Sequence, residues 1–109
     1  MLPNAARAVV DPAKVRDYLL SSSHPVGRFK AAVFTALGYT RQGWPRLQSD
    51  LLAHAASAEA AHQESGPYGQ KYTVSGTLIG PNGRAGRFTT VWLVENDTAA
   101  PRFLTAYPE

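Results

Sequence analysis

The chain has 109 residues, 44% of them apolar and 10% aromatic, which suits one domain built around one core. Its uncharged stretches are broken by Gly, Ser and Thr well short of the ~18 apolar residues that a membrane-spanning helix needs, and MLPNAARAVVDP has neither the basic nor the apolar region of a signal peptide. The lack of cysteine excludes disulfides, thiolate nucleophiles and Cys-type zinc sites, and the net charge of +3 is a modest basic excess.

Residues 1–10 read as an extended lead-in. Asp11 followed by Pro12 is an N-cap with proline at the first helical position. The helix DPAKVRDYLLS follows, with Val15, Tyr18 and Leu19 on one face, and Ser21, Ser22 and Ser23 end it. His24-Pro25 opens a second helix that Gly38 closes as a C-terminal glycine. At ~100° per residue, Val26, Phe29, Val33, Phe34 and Leu37 of this helix form one broad apolar face. Lys30 falls inside that arc, ~20° from Leu37 and ~40° from Phe34. A third helix runs from about Trp44-Pro45 to Ala58 along Leu47, Leu51 and Ala55, and ends in an alanine-rich tract that frays.

The pattern changes after Glu64. SGPYGQ is turn chemistry, and KYTVSGTLI is β-branched and alternating, as a strand is. Gly76 within it suggests a bulge or close packing against a helix. GPNGRAG makes a hairpin, because Asn-Gly supplies the positive φ of tight turns. FTTVWLVE is a second strand, NDTAAP a turn, and RFLTAYP a third strand. The predicted fold class is α+β: about three N-terminal helices packed on one face of a C-terminal antiparallel β-meander, as a single domain over residues 1–109.

Charge distribution says more than net charge. No acid lies between Asp17 and Asp50, but Arg28, Lys30, Arg41 and Arg46 do; none lies between Glu64 and Glu95, but Lys71, Arg84 and Arg87 do. A polyanion is a natural partner for such a surface, and a solvated basic face with no partner is the plain alternative. No metal or cofactor is expected. His24, His54 and His62 are scattered without ligand spacing, His54 reads as a surface or flanking histidine, and GPNGRAG joins two strands rather than the strand and helix of a phosphate loop.

Basic and hydroxyl groups remain as candidates. Three readings of Lys30 stay open: its stem lies across the core edge while its head reaches water, it pairs with a buried carboxylate, or it points into a cleft. His24 either caps the chain before the proline or moves protons at neutral pH, and it projects one to two turns from Lys30. Thr105 and Tyr107, two apart on a strand, present two hydroxyls on one face with Phe103 below them, or serve only as good strand formers. Trp92 reads as core. Arg84 and Arg87 flank the hairpin tip, either solvated or able to hold phosphate edge-on.

The segments HPVGRFKAAVFTALGY, YGQKYTVSGTLIGPNGR, VWLV and PRFLTAYP resemble an uncharacterised bacterial domain family that occurs as small proteins and at the ends of larger toxin-like chains. The similarity runs from about Asn4 to Pro108, and HPxGxxK, GPNG and TAYP are its most specific pieces. The order of helices and meander, ending in a Thr-x-aromatic strand, also resembles the barnase–EndoU–colicin–RelE superfamily of ribonuclease toxins. That resemblance implies a metal-independent endoribonuclease acting in the cytoplasm through the RNA 2′-hydroxyl. Its partners would be RNA, tRNA among the candidates, and a cognate antitoxin or immunity protein, with no role for a membrane. It implies His24 and Lys30 as the helix-side catalytic pair and Thr105 and Tyr107 as the sheet-side pair. Lys71, Arg84, Arg87 and Arg102 would hold phosphate. One departure stands out: no glutamate sits where barnase-like enzymes carry a general base. A non-catalytic module that grips nucleic acid or an acidic protein is the alternative.

Overall fold

The computed structural model describes residues 2, 4–21, 23, 28–57, 60–67, 69–96 and 100–109. Among these, helices come first and a four-stranded antiparallel sheet follows. The lead-in is not simply extended. It holds a short 3-10 turn, Ala5–Arg7, and then Val9 forms a parallel bridge to Arg102 at the outer edge of the last strand. Its amide donates to the Pro101 carbonyl (2.8 Å) and its carbonyl accepts from the Phe103 amide (2.9 Å).

Helix α1 (Pro12–Lys14) starts as the sequence predicts: the Asp11 carboxylate accepts from the Ala13 amide at 2.9 Å, and Pro12 stands where a missing N–H costs nothing. It passes directly into a π-helical segment, Val15–Leu19, closed by the Leu20 amide on the Val15 carbonyl. Val15 and Leu19 enter the core while Tyr18 stays half-buried. Helix α2 (Arg28–Ala36) ends at Gly38, whose φ of 96° is the left-handed turn that favours glycine. The predicted start of this helix at His24-Pro25 lies outside the described residues. Helix α3 is Trp44–Ser57.

The strands are β1 (Ala60–Gly66), β2 (Gly69–Ile79), β3 (Ala85–Glu95) and β4 (Arg102–Pro108), hydrogen-bonded in the order β1-β2-β3-β4. Strand β1 corrects the expectation of a fraying helical tract. AAHQESG has little intrinsic strand preference, but it pairs with β2 from Ala60↔Ser75 to Gly66↔Gly69 and so satisfies a sheet edge that would otherwise lack partners.

The helices cover one sheet face. Phe34 of α2 stacks on Phe88 of β3 with ring centroids 5.0 Å apart, and Trp92 meets Phe103 edge-on at 5.4 Å. Leu47, Leu51 and Ala55 of α3 complete this core with Val74, Leu78 and Ala106. Trp92 is fully buried, as expected. Gly76 is a point of close packing: a side chain there would press on the His54 ring of α3. His54 itself is a correction. It is 3% exposed, and its Nδ1 shares a 3.1 Å hydrogen bond with the Thr90 hydroxyl, which also accepts from Trp92 Nε1 at 2.9 Å.

The β2–β3 hairpin is docked on the end of α2. Gly83 donates to the Gly80 carbonyl to close the turn, and its φ of 85° supplies the positive φ that the sequence placed at Asn-Gly. The Asn82 amide donates to the Leu37 carbonyl (3.3 Å) and its side chain to the Ala36 carbonyl (3.0 Å), while its side-chain oxygen accepts from the Arg84 amide (3.0 Å). GPNG therefore caps the open carbonyls of the helix that carries Lys30. A side chain at Gly80 would collide with the Leu37 carbonyl. Gly80→Ala is expected to lower stability by roughly 1–3 kcal/mol through overpacking, read as a fall in urea midpoint with unchanged slope. A midpoint equal to the native one would show that the docking is dispensable.

Candidate functional site

The site lies at the outer edge of β4, and an irregularity in that strand builds it. Between Val91 and Trp92 the β3–β4 register shifts: Val91 faces Thr105 but Trp92 faces Phe103, leaving Leu104 without an opposite residue. Phe103 and Ala106, three residues apart, are both fully buried, where strict alternation would separate them. Phe103 is thus a core residue that does not share a face with Thr105 and Tyr107, contrary to the two-residue spacing.

Thr105 meets the helical layer. The Lys30 ammonium donates to the Thr105 hydroxyl at 2.8 Å and to the Tyr18 phenol oxygen at 2.9 Å. The two oxygens lie 3.0 Å apart and share a further hydrogen bond. The three groups close a triangle between the π-helical segment, α2 and β4. All are partly buried, so water screens their fields less than it would on an open surface. The Lys30 ammonium also lies 5.2 Å from the centre of the Tyr18 ring, and Lys14, one turn before Tyr18, lies 5.6 Å from the same centre. Burial raises the proton affinity of the Tyr18 phenol. The hydrogen bonds with Lys30 and Thr105 and the charges of Lys30 and Lys14 outweigh it and hold the phenol below the ordinary tyrosine value.

This answers the placement of Lys30. Of the three sequence readings, the ammonium neither runs out to bulk water nor meets a carboxylate among the described residues; it is held by two hydroxyls at a domain edge. Tyr18 escaped the sequence reading, because its ring suits an apolar helix face and its hydroxyl leaves no trace in the pattern. The one available signal was a tyrosine, rather than an aliphatic residue, on the face with Val15 and Leu19. A π-helical turn also recurs at functional sites in other proteins.

The other candidates are spread out. His24 lies outside the described residues. Tyr107 is two residues along β4 from Thr105, opposite Thr89, with its side chain 41% exposed. Lys71 is exposed beside Glu64, its cross-strand neighbour, and both line a shallow hollow at the β1–β2 turn. Arg84 is exposed after the hairpin turn. Arg87 pairs with Glu109 (3.2 Å) and Arg102 with Glu95 (3.2 Å). The acid-free stretches are compensated from outside their own span. Arg41 reaches Asp17 and Arg46 reaches Asp50, each at 3.0 Å. Arg16 and Arg41 together hold the Asp17 carboxyl at about 2.

A family model described as "Domain of unknown function (DUF6883)" matches residues 1–109. Among solved structures, the chain is similar to one titled "Contact-dependent growth inhibition toxin - immunity protein complex from Klebsiella pneumoniae 342". The TM-score is 0.74 at 24% identity over 96% of each chain, a likeness of fold. No curated protein matches.

Proposed function

The chain belongs to the DUF6883 family, and we propose that it is a toxin-type domain that cleaves RNA without a metal ion and is held in check by an immunity or antitoxin protein. The observation that carries this reading is the Lys30–Tyr18–Thr105 triangle, in which an ammonium on an apolar helix face is trained on two hydroxyls at a strand edge. The fold it shares with a chain of a toxin–immunity complex supports the toxin setting, and the basic balance of the chain favours an anionic substrate.

In the reaction the RNA 2′-oxygen attacks the adjacent phosphorus. The new P–O bond forms as the bond to the 5′-oxygen breaks, giving a 2′,3′-cyclic phosphate and a 5′-hydroxyl. One proton leaves the 2′-hydroxyl and one reaches the departing oxygen. Lys30 spends two of its three N–H groups on Tyr18 and Thr105 and turns the third to a non-bridging phosphate oxygen, where negative charge grows. Tyr18, with its phenol pulled toward the working pH, relays one proton, and His24 serves as the other proton carrier. Thr105 fixes the angle between the amine and the phenol. Tyr107 offers an exposed ring on which a base stacks.

A second reading is a basic module that binds nucleic acid or an acidic protein and cuts nothing. It draws on the fact that Lys30, Tyr18 and Thr105 hydrogen-bond one another. Incubation of the purified protein with total RNA or tRNA in EDTA separates the two. Fragments ending in a 2′,3′-cyclic phosphate are expected; retarded but intact RNA would establish the second reading and overturn the first.

A further inference from the structure

Glu109 lies on the sheet face that Phe88 and Thr90 do not use, in a way that the Lys30–Tyr18–Thr105 triangle does not explain. Its amide continues the strand by donating to the Arg87 carbonyl at 3.0 Å, and its side chain folds back over β3. One carboxylate oxygen accepts from the Thr89 hydroxyl at 3.0 Å, and the other from Arg87 Nε at 3.2 Å. Ser75, opposite Thr89 on β2, stands beside this pair, its hydroxyl 3.5 Å from that of Thr89. A guanidinium N–H and a hydroxyl meeting two oxygens of one anion, with a second hydroxyl beside them, are the kinds of donor that phosphates use in nucleic-acid complexes.

The position of this nest matters as much as its donors. Thr89 stands opposite Tyr107, and Val91 stands opposite Thr105. The nest and Thr105 therefore share one sheet face, one same-face cross-strand pair apart, or about 7 Å along the strand. Tyr107, exposed, is the cross-strand partner of Thr89 and stands two residues along β4 from Thr105. A single extended RNA strand with one phosphate at Lys30 would lay its next base on Tyr107 and its next phosphate at Arg87.

We propose that Arg87, Thr89 and Ser75 form a second phosphate subsite for single-stranded RNA, and that Glu109 fills it as a resident anion that the incoming phosphate displaces. The RNA assignment rests on the function proposed above; the anion site rests on its own donors. A competing role for Glu109 as the missing general base fits less well. The neighbouring Ser75 and Thr89 hydroxyls and the Arg87 guanidinium outweigh its desolvation and hold the carboxyl below its ordinary range, whereas an efficient base has a pKa near the working pH.

The test titrates the full chain with a 2′-deoxy tetranucleotide, which cannot be cut by 2′-hydroxyl attack, and follows backbone amides by NMR. Glu109→Gln removes the resident charge and is expected to tighten binding roughly two- to five-fold, the scale of an exposed ion pair. Arg87→Ala is expected to weaken it and to reduce the slope of log K against log salt by about 0.7, the signature of one lost phosphate contact on a single strand. Shifts are expected at Ser75 and Thr89. Unchanged affinity in both variants, with shifts confined elsewhere, overturns the subsite even if Lys30-dependent cleavage is found. Tightening by Glu109→Gln in a protein that cuts no RNA would uphold the anion site and sink the nuclease reading alone.

Discussion

Lys30→Met is expected to lower the single-turnover rate of RNA cleavage by roughly 10²–10³-fold while leaving the fold intact. That is the usual cost of losing one preorganised donor aimed at developing oxyanion charge. Methionine keeps the apolar length of the lysine stem, so the change isolates the ammonium. The Tyr18–Thr105 hydrogen bond survives it, which limits the structural loss. Lys30→Arg is not expected to rescue the rate. A planar guanidinium cannot point at two oxygens 3.0 Å apart and at a substrate in the way that a tetrahedral ammonium does. Tyr18→Phe supplies an independent readout. If the phenol relays a proton, the native rate profile is expected to show an alkaline limb below the ordinary tyrosine range, and that limb is expected to vanish with the hydroxyl. A Lys30→Met protein that cuts labelled RNA at the native rate in EDTA would remove the basis of the proposed function.

Part of this site was legible in the residues because it breaks their own pattern. An amine inside an apolar arc is a local inconsistency, and such conflicts concentrate where function or strain resides. A threonine beside an aromatic on the final strand then supplied a partner. What stayed hidden was set by tertiary context. The extra residue at Leu104 has no glycine or proline to announce it, yet it decides which side chains of β4 face the core. Tyr18 reads as one more apolar position until the ends of two helices bring its oxygen to Lys30. Strand β1 forms because β2 needs a neighbour, not because AAHQESG prefers to be a strand. The ion pairs that neutralise Arg41 and Arg87 join residues 24 and 22 positions apart, beyond any charge-run argument.

The most specific sequence pieces divide by role once they are placed. GPNG caps α2. The lysine of HPxGxxK and the threonine of TAYP meet at the strand edge. The hairpin and the candidate centre are therefore linked through α2: what fixes Ala36 and Leu37 also fixes the helix on which Lys30 sits.

The sheet side of that arrangement is held by a polar network inside the core, and its removal is the largest stability effect expected. Trp92→Ala empties the fully buried centre of the core, where the indole packs edge-on against Phe103, and takes away the donor to Thr90. The expected cost is roughly 3–5 kcal/mol, a third or more of the total stability of many domains of this size. Trp92→Phe, which keeps a ring, should cost clearly less. Thr90 would still have His54, and His54 adds a pH dependence whose sign is fixed by its burial. Desolvation lowers its proton affinity in the folded chain; backbone bonds at Gly76 and Phe88 only partly offset this. Above the ordinary histidine value of about 6.5 the imidazole is neutral in both states and its contribution is whole. As the pH falls below that value the unfolded chain takes up a proton that the folded one resists, and stability is lost down through the folded-state value. Asp17, at about 2, titrates well below this window. Urea midpoints measured between pH 7.5 and 5 should therefore fall more steeply in the native protein than in His54→Asn, a comparison that cancels the other histidines. Equal slopes, or a Trp92→Ala protein within about 1 kcal/mol of native, would mean that the sheet bearing Thr105 is held by contacts other than this network.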